Sequence, residues 1–354
     1  KPPITQDNSV HFSFRFGNQI KLPATFVAII PEGRFWIDET NFQTAIITSE
    51  NPENQESKIL GDVSPKFPIL SPDSPENHPS KHSIFSLKTL PPIQNIEGTV
   101  AVLSGIFNNN YFHWMFDILP RIELLRQSGI NFNEIDKFLI NYQLPFQKET
   151  LKMLDIPEAK IIDTEKHQHI QATKLIVPSF PASVAWMPKW AGDFLRKEFF
   201  TASENAEKID RIYISRKQAN NRRIINEDEV IHLLTNFGFQ SVILESMSVI
   251  EQASLLGNVK VVISPHGGGL TNLVFCHPGT KVIEIFSPNY IYSCYWLVSN
   301  LVGLEYYYLL GENSLGFSFH EFISPNHRLE DIFVNINQLL ELIKFMGITS
   351  IIDN

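Results

Sequence analysis

Cysteine is scarce in this 354-residue chain, which carries two, Cys276 and Cys294. Two cysteines build no disulfide framework, and there is no Cys-x-x-Cys motif. Cys276 lies in an apolar run that reads as buried helix, so both are expected to be reduced core thiols, as in a reducing compartment. No run reaches the ~18 apolar residues of a transmembrane helix. The chain opens at Lys1 with no initiator Met and no signal-peptide pattern. Together with the thiols, this sets a cytoplasmic expectation.

Positive charge is also in short supply. There are 29 Lys and Arg against 38 Asp and Glu, for a net charge of −9, and the pI is about 5.7. That excludes a general attraction for nucleic acid or an anionic membrane surface. Metal signatures are absent too: the chain has no His-Glu-x-x-His and no Asp-x-Asp pair. Glu227-Asp228-Glu229 opens an expected helix, where acids complement the dipole. His167 and His169 alternate without a third ligand. No cofactor and no metal are therefore expected. No internal repeat of ~20–50 residues is visible.

What is present is enough for a large core. Hydrophobic residues make up 43% of the chain, and 27 are Phe. At ~100–200 residues per domain, the length predicts two domains. The alternation of His11-Phe12-Ser13-Phe14-Arg15-Phe16, continued at Phe26, Ala28 and Ile30, predicts strands. Residues 51–82 read as a long exposed loop. Thr99–Leu103 reads as a strand. Asn110 is placed to cap the helix that follows, and Pro120 to restart or kink it. Strands are expected at 138–140 and 175–177, with a helix between them at 146–154. A polar linker is expected at 201–208.

The second half alternates more cleanly. Strands are expected at 211–215, 241–244, 259–264, 281–286 and 306–310. Helices are expected at 226–237, 248–256, 269–275, 292–301 and 337–346, with Asn226 and Glu229 forming a capping box and Gly238 a stop. This spacing predicts an α/β fold with parallel sheets and right-handed crossovers. Two Rossmann-like halves with a ligand in the cleft is the simplest architecture. The division expected is 1–204 and 205–354.

Three constellations carry chemistry. In the first, strand Val261–Ser264 ends in Pro265-His266-Gly267-Gly268-Gly269-Leu270-Thr271-Asn272, where a helix is expected to start. Helix N-termini expose unpaired N–H groups and partial positive charge, and glycine lets a phosphate approach the backbone closely. His266, Thr271 and Asn272 can add polar contacts. In the second, residues 208–223 hold six basic residues and one acid. Arg216 follows Ser215 at a strand's carboxyl end, where ligands bind in open α/β sheets. Its guanidinium can grip a diphosphate with two parallel hydrogen bonds, and Arg222 and Arg223 stand on the next loop. Glu245 and Glu284, at or near strand ends on the same side, can take ribose hydroxyls or form buried ion pairs. In the third, His113 and Asp117 are four apart and share a helix face, as do Asp117 and Arg121. Such a pair can serve as a general base or simply tie the helix down. His-Gly-Gly-Gly also occurs in esterase oxyanion loops, but the Gly-x-Ser-x-Gly elbow that chemistry needs is missing.

At these residues the sequence resembles glycosyltransferase family 61. Asn110, His113, Asp117, Leu119, Pro120 and Arg121 match its Asn-x-x-His-x-x-x-Asp-x-Leu-Pro-Arg element. Ile214, Ser215, Arg216, Arg222 and Arg223 match its Ile-Ser-Arg strand end and later arginines, and Glu251 and Gln252 its Glu-Gln step. His266–Phe275 and Pro278–Glu284 match its signature, with Gly268 where Ala is usual. The resemblance covers residues 98–310. It implies a GT-B-like fold with two Rossmann-like domains facing across a cleft, and inverting, metal-independent transfer from a UDP-sugar to a glycan or glycoconjugate hydroxyl. Residues 205–354 would bind the UDP-sugar donor through Ser215, Arg216, Arg223, Glu245, His266–Asn272 and Glu284. Residues 1–204 would bind the acceptor. Asp117 is the expected base with His113 supporting it, and the reverse assignment stays open. The rival reading is a nucleotide-sugar-binding protein of the same fold without transfer activity.

Overall fold

A computed structural model describes residues 1–7, 9–15, 21–49, 56–68, 74–200, 209–312 and 327–351. The expected linker at 201–208 lies outside these residues. The chain divides into two units, Lys21–Glu198 and Lys1–Ile20 with Phe199–Asn354.

The N-terminal unit is built on a mixed seven-stranded sheet. Its strands are β1 (Val27–Pro31), β2 (Arg34–Asp38), β3 (Gln43–Ile47), β4 (Gln94–Val102), β5 (Lys137–Leu139), β6 (Ile161–Ile162) and β7 (His169–Pro178). The order is β3-β2-β7-β4-β5-β6, with β1 also paired to β7. β4 runs parallel to β5 and β7, while β1 and β2 meet β7 antiparallel. Phe35, Ile37, Val100, Val102, Leu139 and Leu175 fill one core layer. The helices are α1 (Tyr111–His113), a π turn at Trp114–Ile118, α2 (Pro120–Gln127), α3 (Pro145–Met153) and α4 (Lys189–Phe199). Asn110 caps α1 as expected, its side chain accepting from Phe112 N and His113 N. Pro120 restarts the helix as the first residue of α2.

The C-terminal unit carries an all-parallel sheet of β8 (Arg211–Ile214), β9 (Gln240–Val242), β10 (Val261–Pro265), β11 (Lys281–Phe286) and β12 (Glu305–Leu310). α5 (Glu227–Thr235), α6 (Val249–Asn258), α7 (Cys294–Val302) and α8 (Ile336–Phe345) accompany it. On one face, Val230 and Leu234 of α5 and Leu339 and Ile343 of α8 pack with Tyr213, Ile263, Ile283 and Tyr307. Val262 on the other face is fully buried as well, the double burial that its apolar run predicts. The order is β12-β11-β10-β8-β9. Numbered within the unit this is 2-1-3-4-5, a common doubly wound order whose switch point falls between the first and third strands, here β8 and β10.

Five expectations are corrected. Residues 1–20 belong with the C-terminal unit: Ile4 N–H donates to Tyr306 O at 2.8 Å and Trp296 Nε1–H to Lys1 O at 2.8 Å. The alternating stretch at 11–16 is not a strand where it is described. Phe12–Phe14 is a 3-10 turn, because Phe14 drops among the rings of Phe286, Trp296, Tyr306 and Tyr308. The helix after the glycine turn is a 3-10 helix, Gly268–Phe275. Asn226 makes no side-chain cap on α5; its amide instead pairs with the backbone of Val334. Within 51–82, the described residues include Val63, Ser64 and His82, all buried, so that loop is partly packed rather than wholly exposed. Neither cysteine forms a disulfide, and both are buried. Among the described residues no helix is long and apolar enough to cross a membrane.

Candidate functional site

Arg216 stands at the switch point of the C-terminal unit. Just past β8, the Ser215 hydroxyl donates to Glu227 Oε1 at 2.8 Å and accepts from Lys217 N at 3.1 Å. This turn directs Arg216 over the loop that follows β10. A Cβ placed on Gly267 would lie 1.9 Å from Arg216 Nη1 and 2.5 Å from its Cζ. The φ of Gly267 is 170°, extended backbone open to any residue, so what glycine supplies here is room for the guanidinium. Gly267→Ala is therefore expected to displace Arg216 and weaken the binding of a diphosphate ligand at least ~10-fold, about the loss of one charge-assisted hydrogen bond. Calorimetry showing unchanged affinity would mean that the Arg216 position is not used by the ligand.

The guanidinium has little to do in the free protein. Nη2 donates to Asn221 O at 3.0 Å, while Nε is buried without a partner. Among the described residues no carboxylate forms an ion pair with it. Burial pushes its pKa down, and the neighbouring Arg222 charge adds to the effect. A buried cation left unpaired beside a second cation is costly to the fold. An anion would relieve that cost. Arg222 is bent inward with φ 53°, and its Nε donates to His266 O at 3.0 Å.

The remaining expected donor residues separate by burial. His266 is buried, and its Nδ1 is held by Glu284; the ring stacks on Phe286 at 5.2 Å. Glu284 is fully buried, and its other oxygen accepts from Tyr306 OH. Glu284 thus orients His266 and leaves its Nε2 outermost, so the expected ribose contact gives way to the buried pairing. Leu270, Thr271 and Asn272 are fully buried. Asn272 Nδ2 donates to Gln252 Oε1 at 2.7 Å, and Gln252 in turn donates to Leu244 O and Met247 O at 3.0 Å each. These residues build the turn, and Gly268 and Gly269 are its half-exposed part. Glu251 closes a capping box with Ser248 on α6. Glu245 is exposed, and its charge supports the Arg216 cation. Arg223 is turned away: exposed, it forms a 2.6 Å ion pair with Asp331. Arg222, of the same basic stretch, takes the inward place.

The N-terminal unit brings His113 and Asp117 together. His113 Nδ1 and Asp117 Oδ2 are 2.7 Å apart. Asp117 is buried on the π turn, and its oxygens also accept from Ala185 N at 3.3 Å. The His113 ring is half-buried and stacked on Phe107 at 4.8 Å. Phe107 and Ala185 both take left-handed backbone, with φ 60° and 67°. Strained non-glycine residues of this kind concentrate at functional sites. Arg121, the third member of the spacing pattern, is a tie. It donates to Leu103 O and Ser104 O beyond β4 and to Pro178 O at the end of β7, at 2.7–3.1 Å. Burial pushes it down to about 9, with Asp117's charge opposing, which leaves it a cation at neutral pH.

Among the described residues no three His, Cys, Asp or Glu side chains form a group able to hold a metal ion. The sequence patterns did not mark Ala185, Tyr290 or Tyr295. Tyr290 and Tyr295 pack against His266, and no spacing signal in the sequence brings them there.

The C-terminal unit is thus a doubly wound α/β unit with an anion-ready cation at its switch point. The family model described as glycosyltransferase 61 matches residues 111–283, the stretch that carries most of the motif resemblance. It is 30% identical over 138 residues to a beta-1,2-xylosyltransferase of Arabidopsis thaliana, covering 35% of this chain and 23% of the relative. It is 29% identical over 256 residues to a protein O-linked-mannose beta-1,4-N-acetylglucosaminyltransferase 2 of Xenopus laevis, covering 61% and 42%. It is 23% identical over 269 residues to an alpha-1,3-arabinosyltransferase of Oryza sativa subsp. japonica, covering 68% and 45%. The chain thus spans less than half the length of these curated relatives.

Proposed function

We propose that the protein is an inverting glycosyltransferase that moves a sugar from a UDP-sugar to a hydroxyl of a glycan or glycoconjugate. The observation that carries this reading is the half-buried Arg216 guanidinium over Gly267 at the β8–β10 switch point, its Nε buried without a partner. The motif matches around Ile214–Arg216 and His266–Phe275 support UDP as the nucleotide. The relatives' names support sugar transfer and a glycan acceptor. Two α/β units, each with its own sheet, support a GT-B-like fold.

In this mechanism the diphosphate binds Arg216 and the N–H groups that open the Gly268–Phe275 helix. Arg222 adds charge nearby. As the bond from the anomeric carbon to the phosphate oxygen breaks, negative charge grows on the leaving UDP. Fixed cations there favour the transition state without requiring a metal. His113 serves as the base and Asp117 positions it, the reverse of the expected assignment. Asp117 is buried with hydrogen bonds to His113 and Ala185, whereas His113 reaches the surface with Nδ1 occupied. With the Nδ1 proton held by Asp117, Nε2 is free to take the acceptor's hydroxyl proton. The acceptor oxygen then bonds to the anomeric carbon from the side opposite UDP.

A thermal-shift series tests the donor half. A UDP-sugar at ~100 times its Kd stabilises by about 2.7 kcal/mol, equal to about 5–10 °C in Tm for a unit of this size. No shift with any UDP-sugar would overturn the reading. A shift without UDP release when acceptors are added would instead identify a nucleotide-sugar-binding protein.

A further inference from the structure

The N-terminal unit contains a cavity of about 350 Å³ whose walls include Asp38, Glu39, Phe42, Phe107, Asn109 and Asn110. Among the described residues no Lys, Arg or His lines it. Its size falls at the small end of the ~300–1,000 Å³ range of ligand pockets. Phe42 and Phe107 meet with ring centroids 4.6 Å apart and form an apolar wall. Both are held in left-handed backbone, at φ 50° and 60°, so the wall is fixed rather than adaptable.

The polar wall is fixed in the same way. Asp38 accepts from Asn41 N and Nδ2 at 3.0 and 2.7 Å and from Gln43 Nε2 at 3.2 Å. Glu39 Oε1 accepts from Asn141 Nδ2 at 2.8 Å. A carboxylate has ~4 lone-pair sites; on Asp38 the Thr40 backbone N–H takes the fourth, so Glu39 is the acid that keeps capacity for donors from a ligand. Glu39 is half-buried, and its pKa is raised by burial and then by the charges of Glu165 and Asp163. A second negative charge is unwelcome there, and a ligand that donates hydroxyl hydrogens suits the site. The cavity adjoins the proposed base: Phe107 stacks on His113, and Asn110 caps the helix that carries it.

We infer that this cavity is a subsite for an uncharged sugar residue of the acceptor, held through its hydroxyls by Glu39 and covered on one face by Phe42 and Phe107. The role as an acceptor subsite rests on the transferase reading; the sugar preference rests on the cavity. A second cavity of the same unit, about 660 Å³, has Lys21, Lys66 and His78 in its wall. The test must therefore report locally.

Backbone amide shifts of Phe42 and Phe107–Asn110 are followed by NMR on the full chain. The titrants are methyl β-xyloside, methyl α-mannoside, methyl β-glucuronide and methyl β-glucosaminide. At least one neutral glycoside is expected to move these amides. The glucuronide should bind ~10-fold more weakly, and Glu39→Gln should both weaken the neutral glycoside and close that gap. Phe42→Ala, at a half-exposed ring, should weaken the neutral glycoside as well. UDP-induced thermal shifts in the same samples control for folding. Silence at these amides with every neutral glycoside overturns the subsite, as does equal binding of the glucuronide or tighter binding of the glucosaminide. If UDP binds and no glycoside does, the subsite alone fails. If a neutral glycoside binds and UDP does not, the transferase reading fails and the sugar site stands.

Discussion

Arg216→Ala is expected to weaken UDP binding about 100-fold, or about 2.7 kcal/mol, while leaving Tm unchanged or raised. The two halves of that result have one cause. In the free protein the guanidinium is half-buried, carries a buried, unpartnered Nε and lies near Arg222, so removing it relieves a cost to the fold. In the proposed complex the same cation would donate a charge-assisted hydrogen bond to the diphosphate, worth about 1.5–3 kcal/mol. A structural arginine would behave in the opposite way, and Arg121 is the internal comparison. Arg121 donates to three backbone carbonyls, so Arg121→Ala should lower Tm strongly. Titration calorimetry with UDP and thermal melts on both variants make the distinction. If Arg216→Ala lowers Tm by as much as Arg121→Ala and UDP affinity is retained, Arg216 is a scaffold residue and the donor site lies elsewhere.

The second large effect is on turnover. His113→Ala should lower kcat about 1,000-fold, within the ~10²–10⁴ range of general base catalysis, with the UDP affinity unchanged. Asp117→Asn should fall as far, for a different reason. Asp117 receives both the His113 Nδ1 hydrogen and the Ala185 N–H. An amide has one acceptor oxygen for those two donors. When the oxygen serves Ala185, the amide nitrogen faces His113 Nδ1 and forces the proton onto Nε2, and a ring protonated at Nε2 cannot take the acceptor's proton. Steady-state kinetics with UDP release as the readout checks both variants. Transfer within tenfold of wild type in His113→Ala would return the base role to Asp117.

Legibility followed the kind of burial. In the C-terminal unit, β11 runs over Lys281–Phe286 as its apolar run predicts, because a strand buried on both faces needs no distant partner to be recognised. Gly267 was readable because the close approach of a side chain permits nothing larger. The roles of Glu284 and Asn272 were not, since their partners Tyr306 and Gln252 become neighbours only in the folded chain. Arg222 and Arg223 are adjacent and chemically alike. Which one turns inward is decided by Asp331, more than a hundred residues away. Glu39 gave no signal at all: its partner Asn141 follows β5, and Asp163 follows β6. The alternation at His11–Phe16 misled because a period of two marks a strand only where a neighbouring strand pairs with it. Phe14 is instead a single anchor among aromatic rings.

That anchor imposes an order on assembly. The N-terminal unit is one continuous stretch, Lys21–Glu198, and can complete itself while the rest of the chain is still being synthesised. The C-terminal unit is split around it. Lys1, Ile4 and Phe14 find their partners on α7, β11 and β12, so residues that precede the N-terminal unit in the chain wait for partners that follow it. The loop to be closed is on the order of 270 residues, and its entropy grows only slowly with length; the delay is set by synthesis rather than by search. Until then the ring pocket for Phe14 does not exist. Phe286, which both backs that pocket and stacks on His266, gains Phe14 as a neighbour only when the segment ahead of Lys21 folds back onto the C-terminal unit.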